Sequence, residues 1–173
     1  AGSANGGLWK STNFCQTWTS IFDNQNTSSI GALAIDPVNT NIIYCGTGEA
    51  NSLRSHYPGT GVYKSTNSGN SWSFVGLPNS YNIGSIAINP INTQEIYVAV
   101  LGATRKKNPD RGLYKSTDSG LNWTKVLYIS DSVGVVDVTI DPDNPNKIFA
   151  AAWERLRRED YIKYGGVKSG LFV

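Results

Sequence analysis

The side chains best suited to chemistry in this sequence are carboxylates and guanidiniums concentrated in its irregular segments. Asp23, Glu49, Asp110, Asp131, Glu154, Glu159 and Asp160 fall in connections, and Asp137 falls within a strand. A glycoside hydrolase needs two carboxyl groups about 5 to 10 Å apart across a cleft. None of these residues sits in a recognisable catalytic motif, so the catalytic residues are left unassigned. His56 is the sole histidine, so any Ser-His-Asp machinery would have to run through it, and no GxSxG nucleophile elbow is present. Cys15 and Cys45 match neither a zinc motif nor a redox CxxC pair. Recognition chemistry is better represented. Arg54, His56, Tyr57, Arg105, Lys106, Trp153, Arg155 and Arg158 form a basic and aromatic set suited to an acidic or carbohydrate ligand, or to a protein loop.

The elements that must hold these residues are legible as a repeat. The segments GLWKSTNFCQTW at 7–18, GVYKSTNSGNSW at 61–72 and GLYKSTDSGLNW at 112–123 align without gaps, and GLFV at 170–173 opens a fourth copy. Trp18, Trp72 and Trp123 are therefore spaced by 54 and 51 residues. Between the copies, IGALAIDP at 30–37, IGSIAINP at 83–90 and VGVVDVTIDP at 133–142 recur, each followed by an Asn-rich turn and a short apolar run. Pro37, Pro90 and Pro142 end the first strand of each unit, because proline cannot donate to a ladder. Four antiparallel strands in roughly 40 to 50 residues is the spacing of a propeller blade. The expected fold is all-β, a partial β-propeller with two complete four-stranded blades flanked by two partial ones. The expected boundaries are a partial blade at 1–29, blades at 30–82 and 83–132, and a partial blade at 133–173.

Composition agrees. Eighteen Gly, nine Tyr and five Trp suit strands joined by tight turns. A net charge of +2 is too small to argue for a nucleic-acid partner. No run approaches the roughly 20 apolar residues that direct membrane insertion of a helix requires. The absence of Met and the start in mid-pattern lead us to expect a segment of a longer polypeptide.

Ser116, Asp118, Gly120 and Trp123 spell Ser/Thr-x-Asp-x-Gly-x-x-Trp and so resemble the Asp-box, or BNR repeat. Ser65, Asn67, Gly69 and Trp72 repeat it, as do Ser11, Asn13 and Trp18. The arrangement resembles sortilin or Vps10-type propellers and bacterial BNR-repeat proteins of the glycosyl hydrolase-like kind. That resemblance implies an exported protein, extracellular, at the cell surface or periplasmic. The box residues themselves suggest a structural role: the Asp or Asn oxygen accepts backbone N–H groups, Gly takes positive φ, and Trp packs between sheets. One carboxylate per turn cannot supply the roughly six to eight oxygens of a calcium site, so neither metal nor cofactor is expected. Cys15 stands where the other boxes have Gly, and an irregular first turn is expected there.

In such a blade the box turns share one face with the turns between first and second strands. The connections between second and third strands, at 48–60, 102–111 and 153–165, lie on the opposite face and are long, charged and mutually unlike. The leading expectation is a non-catalytic protein- or glycan-binding module that uses this loop face. The alternatives are a portion of a BNR-repeat glycoside hydrolase, or a structural spacer. Partners would be the remaining blades of the parent chain or a covering protein, and a glycan, but not nucleic acid. Cys15 and Cys45 fall toward opposite faces and are expected to stay free. The sequons at Asn26 and Asn122 read as turn asparagines.

Overall fold

The computed structural model describes residues 1–51 and 57–173. β1 (Trp9–Lys10) and β2 (Thr19–Ser20) form a two-stranded sheet. β3 (Ile30–Ile35), β4 (Ile43–Thr47), β5 (Val62–Ser65) and β6 (Ser73–Gly76) form a four-stranded antiparallel meander, and β7 (Ile83–Ile88), β8 (Ile96–Val100), β9 (Gly112–Ser116) and β10 (Thr124–Leu127) form a second. The last sheet contains β11 (Val133–Ile140), β12 (Ile148–Arg157), β13 (Ile162–Tyr164) and β14 (Gly170–Phe172), with both β13 and β14 paired to β12. The chain is thus all-β, with two complete blades between two partial ones. Among the described residues no helix is long and apolar enough to cross a membrane.

Ala1–Ser3 adds a feature that the repeat pattern did not mark. It runs antiparallel to β1: the Trp9 N–H donates to the Ala1 carbonyl at 2.8 Å, and Gly2 bridges Leu8. A second difference concerns 153–165, expected as a loop. β12 instead continues to Arg157 and pairs with β13, and the Arg158 N–H closes the hairpin on the Tyr161 carbonyl at 2.7 Å. Trp153, Tyr161, Ile162 and Tyr164 favour a pleated ribbon, which the irregular charge pattern of the segment masked.

Sheets this short gain little stability alone, and the core lies between them. Tyr44 and Val62 interlock with Ile83, Ile86, Ile96, Val98, Val100 and Tyr114. Tyr97, Ala99 and Leu113 meet Val135, Val138 and Ala150. Leu8 and Phe22 cover Ile30, Cys45 and Tyr63, with the Phe22 and Tyr63 rings edge-on at 5.2 Å. Each buried aliphatic or aromatic side chain contributes about 1.5 to 3 kcal/mol, so stability resides in contacts between blades. Gly31 and Gly84 mark the tightest of these contacts. A Cβ at either would stand 2.1 Å from a carbonyl oxygen of the following blade, Ile83 and Val136 respectively, which explains the recurring Ile-Gly pair. β3, β7 and β11 accordingly pack side by side. An apolar cleft of about 480 Å³, lined by Leu33, Ile35, Ile43, Trp18 and Ile21, opens between the first sheet and β3–β4.

Candidate functional site

Hydrogen bonds between turns sort the connections into two faces. The Ser68 N–H donates to the Asn41 carbonyl at 2.9 Å and the Ser119 N–H to that of Gln94 at 3.0 Å, joining each box to the turn after the first strand. On the other side, the Asn82 amide donates to the Gly102 carbonyl at 2.7 Å and the Asn108 N–H to that of Asp131 at 2.8 Å.

On the box face the repeated polar groups are consumed by the fold. Ser116 Oγ donates to Asp118 Oδ1 and accepts the Gly120 N–H, both at 2.8 Å. Asp118 Oδ1 accepts the Asn122 N–H at 2.9 Å, and Oδ2 accepts from Asn122 Nδ2 at 2.7 Å, so this sequon amide is tied into the turn. Asn122 and Ser116 together hold the Asp118 carboxyl down to about 2. Ser65 and Asn67 make the corresponding bonds to the N–H groups of Gly69 and Ser71, at 2.8 and 2.9 Å. Ser11 and Asn13 do so with Cys15 and Thr17, both at 2.9 Å. Only an acceptor oxygen is needed, which is why Asn serves as well as Asp.

The first turn is therefore regular, contrary to expectation. Cys15 adopts φ 67°, against 87° for Gly69 and 92° for Gly120. Its hydrogen bonds are strong enough to hold an L-residue in a region that costs about 1 to 2 kcal/mol. The boxes also join blades. Trp72 Nε1 donates to the Ile21 carbonyl and Trp123 Nε1 to the Val75 carbonyl, each at 2.7 Å and each in the preceding blade. Lys10 and Lys64 reach forward to the Ser68 and Ser119 carbonyls at 2.8 and 3.3 Å.

Sequence reasoning missed a second repeated device here. Asp36, Asn89 and Asp141 each cap the turn after the first strand: Oδ1 accepts the N–H of Val38 at 2.9 Å, Ile91 at 3.0 Å and Asp143 at 3.0 Å. The signal was present in the Asp/Asn-Pro pairs, read only for their prolines. Cys45 lies buried in β4, its thiol pushed up to about 12 by burial, while Cys15 is exposed and both are free.

The loop face is aperiodic. Arg155, expected on the rim, is 1% exposed. Its Nη1 donates to the Ala50 carbonyl at 3.0 Å and its Nη2 to Thr104 Oγ1 at 3.3 Å, while the guanidinium lies 5.0 Å from the Trp153 ring centroid. It thus fastens the connections that follow β4 and β8 to the β12–β13 hairpin. The extended β12 carries it inward, where its planar fork donates to two acceptors on different connections at once. Arg111, which sequence reasoning passed over, is equally buried and donates to the Ala103 carbonyl. Its position held a signal, because the repeat places the small residues Gly6, Thr60 and Ser169 at the same point. Burial and then the charge of Arg155 hold the Arg111 guanidinium below its ordinary value, partly offset by Asp131.

The remaining candidates are distributed as follows. Arg54 and His56 lie outside the described residues. Tyr57 is exposed. Trp153 is half-buried against Tyr164, with ring centroids 5.8 Å apart. Lys106 lies 4.8 Å over the Tyr81 ring. Among the carboxylates, Glu49 and Glu154 are buried, and Glu154 pairs with Lys163 at 2.7 Å. Asp131 pairs with Lys107 at 3.5 Å, and Asp110 accepts from Asn108 at 3.3 Å. Asp23, Asp137, Glu159 and Asp160 are exposed. Arg105 and Arg158 do converge. With Arg157, Glu159 and Ile162 they line a cleft of about 330 Å³ between the β8–β9 connection and the hairpin. The Arg157 N–H, bonded to the Thr104 carbonyl at 2.9 Å, fixes its two walls together.

Three Asp-box turns, two of them stapled through Trp72 and Trp123 to the preceding sheet, define an Asp-box β-propeller segment. The Sortilin-Vps10 family (sortilin, neurotensin receptor 3) matches residues 6–169, and the chain belongs to it. The chain is also similar to a xyloglucanase of Hypocrea jecorina, 29% identical with 91% of this chain and 22% of that protein covered. A second relative, xyloglucanase Xgh74A of Acetivibrio thermocellus, is 27% identical, with 82% of this chain and 20% of that protein covered. Among solved structures, an ancestral GH74 enzyme superposes with a TM-score of 0.63 at 26% identity, covering 86% of this chain and 19% of that one. The chain spans about a fifth of the length of the curated relatives it matches.

Proposed function

We propose that this segment contributes a polysaccharide-contacting loop face to an exported carbohydrate-active propeller protein, and that it binds and orients the glycan rather than cleaving it. The observation that carries this reading is the contrast between the faces. Repeated polar groups close the box turns, whereas the exposed arginines and tyrosines and half-buried Trp153 gather on the β8–β9 connection and the β12–β13 hairpin. Similarity to two xyloglucanases supports a polysaccharide as ligand. The placement of the carboxylates supports a binding role: Glu49 and Glu154 are buried, and Asp131 and Glu154 are ion-paired. In this reading, other blades of the parent chain cover the apolar cleft beside β3–β4.

Steady-state kinetics of the intact protein on xyloglucan test the reading. Trp153→Ala should raise KM about tenfold with kcat little changed, as expected when binding common to ground and transition states is lost. Asp110→Asn should leave both unchanged. A hundredfold fall in kcat for Asp110→Asn would instead place catalysis in this segment, and failure of the intact protein to bind any glycan would reject the reading.

A further inference from the structure

We propose that the cleft lined by Arg105, Arg157 and Arg158 takes the anionic group of an acidic sugar, a carboxylate or a sulfate; this rests on the glycan-facing reading above and gives it a ligand class. Three guanidiniums and one carboxylate, Glu159, share a cleft of about 330 Å³. The lining carries a net excess of positive charge, and a concave site with such an excess concentrates anionic ligands. The planar guanidinium fork matches two oxygens of a carboxylate or sulfate at once, which a lysine cluster cannot do.

The walls are preformed by backbone bonds, Arg157 N–H to the Thr104 carbonyl at 2.9 Å and Arg158 N–H to the Tyr161 carbonyl at 2.7 Å. Ligand binding therefore orders side chains but not loops, which keeps its entropic cost low. Arg155, two residues before Arg157 in the strand, is fully buried and lends the site its scaffold through Ala50 and Thr104. Ile162 supplies an apolar patch within the cleft. Tyr161 and Tyr164 expose about half their surface on the same hairpin, offering flat faces to sugar rings. Those rings and the similarity to two xyloglucanases favour a glycan over an extended acidic peptide.

Calorimetric titration of the intact protein decides the matter, using an oligogalacturonate, a sulfated oligosaccharide of equal length, a neutral xyloglucan oligosaccharide and poly-glutamate. Wild type should bind at least one acidic sugar, more weakly as salt rises, and the tighter of the two names the anionic group. Arg105→Glu and Arg158→Glu alter exposed residues and should keep the wild-type thermal midpoint. Each should weaken the acidic sugar about ten- to a hundredfold, a much larger factor than its effect on the neutral one. Arg157→Lys, which keeps the charge but removes the fork, should weaken it by a smaller factor. Unchanged affinity in both charge-reversal variants would overturn the proposal, as would poly-glutamate binding as tightly as the acidic sugars. Binding of the neutral oligosaccharide alone would overturn this inference and leave the glycan-facing reading intact; binding of none would overturn both.

Discussion

The two ends of each blade use similar side chains to opposite effect. On the box face Lys10 and Lys64 end on carbonyls of the next blade, Trp72 and Trp123 end on carbonyls of the preceding one, and Asp118 is enclosed by its own turn. On the loop face Arg155 and Arg111 are held inside, but Arg105, Arg157 and Arg158 surround a cleft. A repeated polar residue here has a repeated structural partner, whereas the unrepeated arginines divide between the interior and the cleft. Charge alone does not distinguish them, because Arg155 and Arg158 lie three residues apart and have different roles.

Five substitutions would break or sharpen this contrast. Trp123→Ala removes an indole that packs against the core of Tyr44, Val62 and Ile83 and bonds the Val75 carbonyl, and should cost about 3 kcal/mol in chemical denaturation. The same change at Trp18, which is 43% exposed, should cost less than about 1 kcal/mol. Equal losses at the two sites would show that stapling between blades is not the source of the stability. Arg155→Ala should cost about 2 kcal/mol by removing the guanidinium donor to the Ala50 carbonyl and one of the donors to the Thr104 hydroxyl, with faster amide exchange confined to the loop face. Cys15→Gly should stabilise by about 1 kcal/mol, since it keeps the turn and removes the positive-φ strain. The smallest effect is one of pH. Asp118 is held at about 2, below its ordinary 3.8, so the stability it contributes is present above 3.8 and is lost as pH falls through about 2. Asp118→Asn should make that acid limb shallower in a pH-stability series, without abolishing it, because Asp36 and Glu95 are lowered as well.

The blades were legible in the sequence because each repeat must rebuild the same turn from the same atoms. Ser, Asp or Asn, Gly and Trp recur at fixed spacing, and the strands follow from them. Cys15 misled because residue type suggested an irregular turn, whereas the Ser11 and Asn13 oxygens hold the backbone in place. The candidate site was only half legible. Its segments were identified, but whether an arginine points inward depends on where β12 ends, and alternating Trp, Arg and Tyr residues do not declare a hairpin. The buried pair of Arg111 and Arg155 is a tertiary arrangement across several connections, which no local pattern encodes.

Amide hydrogen exchange of the intact protein with and without a bound xyloglucan oligosaccharide tests the division between the two faces most directly. The account predicts added protection in residues 101–111 and 153–165, with the box turns at 65–72 and 116–123 unchanged. Protection confined to those box turns, with 101–111 and 153–165 unaffected, would contradict it.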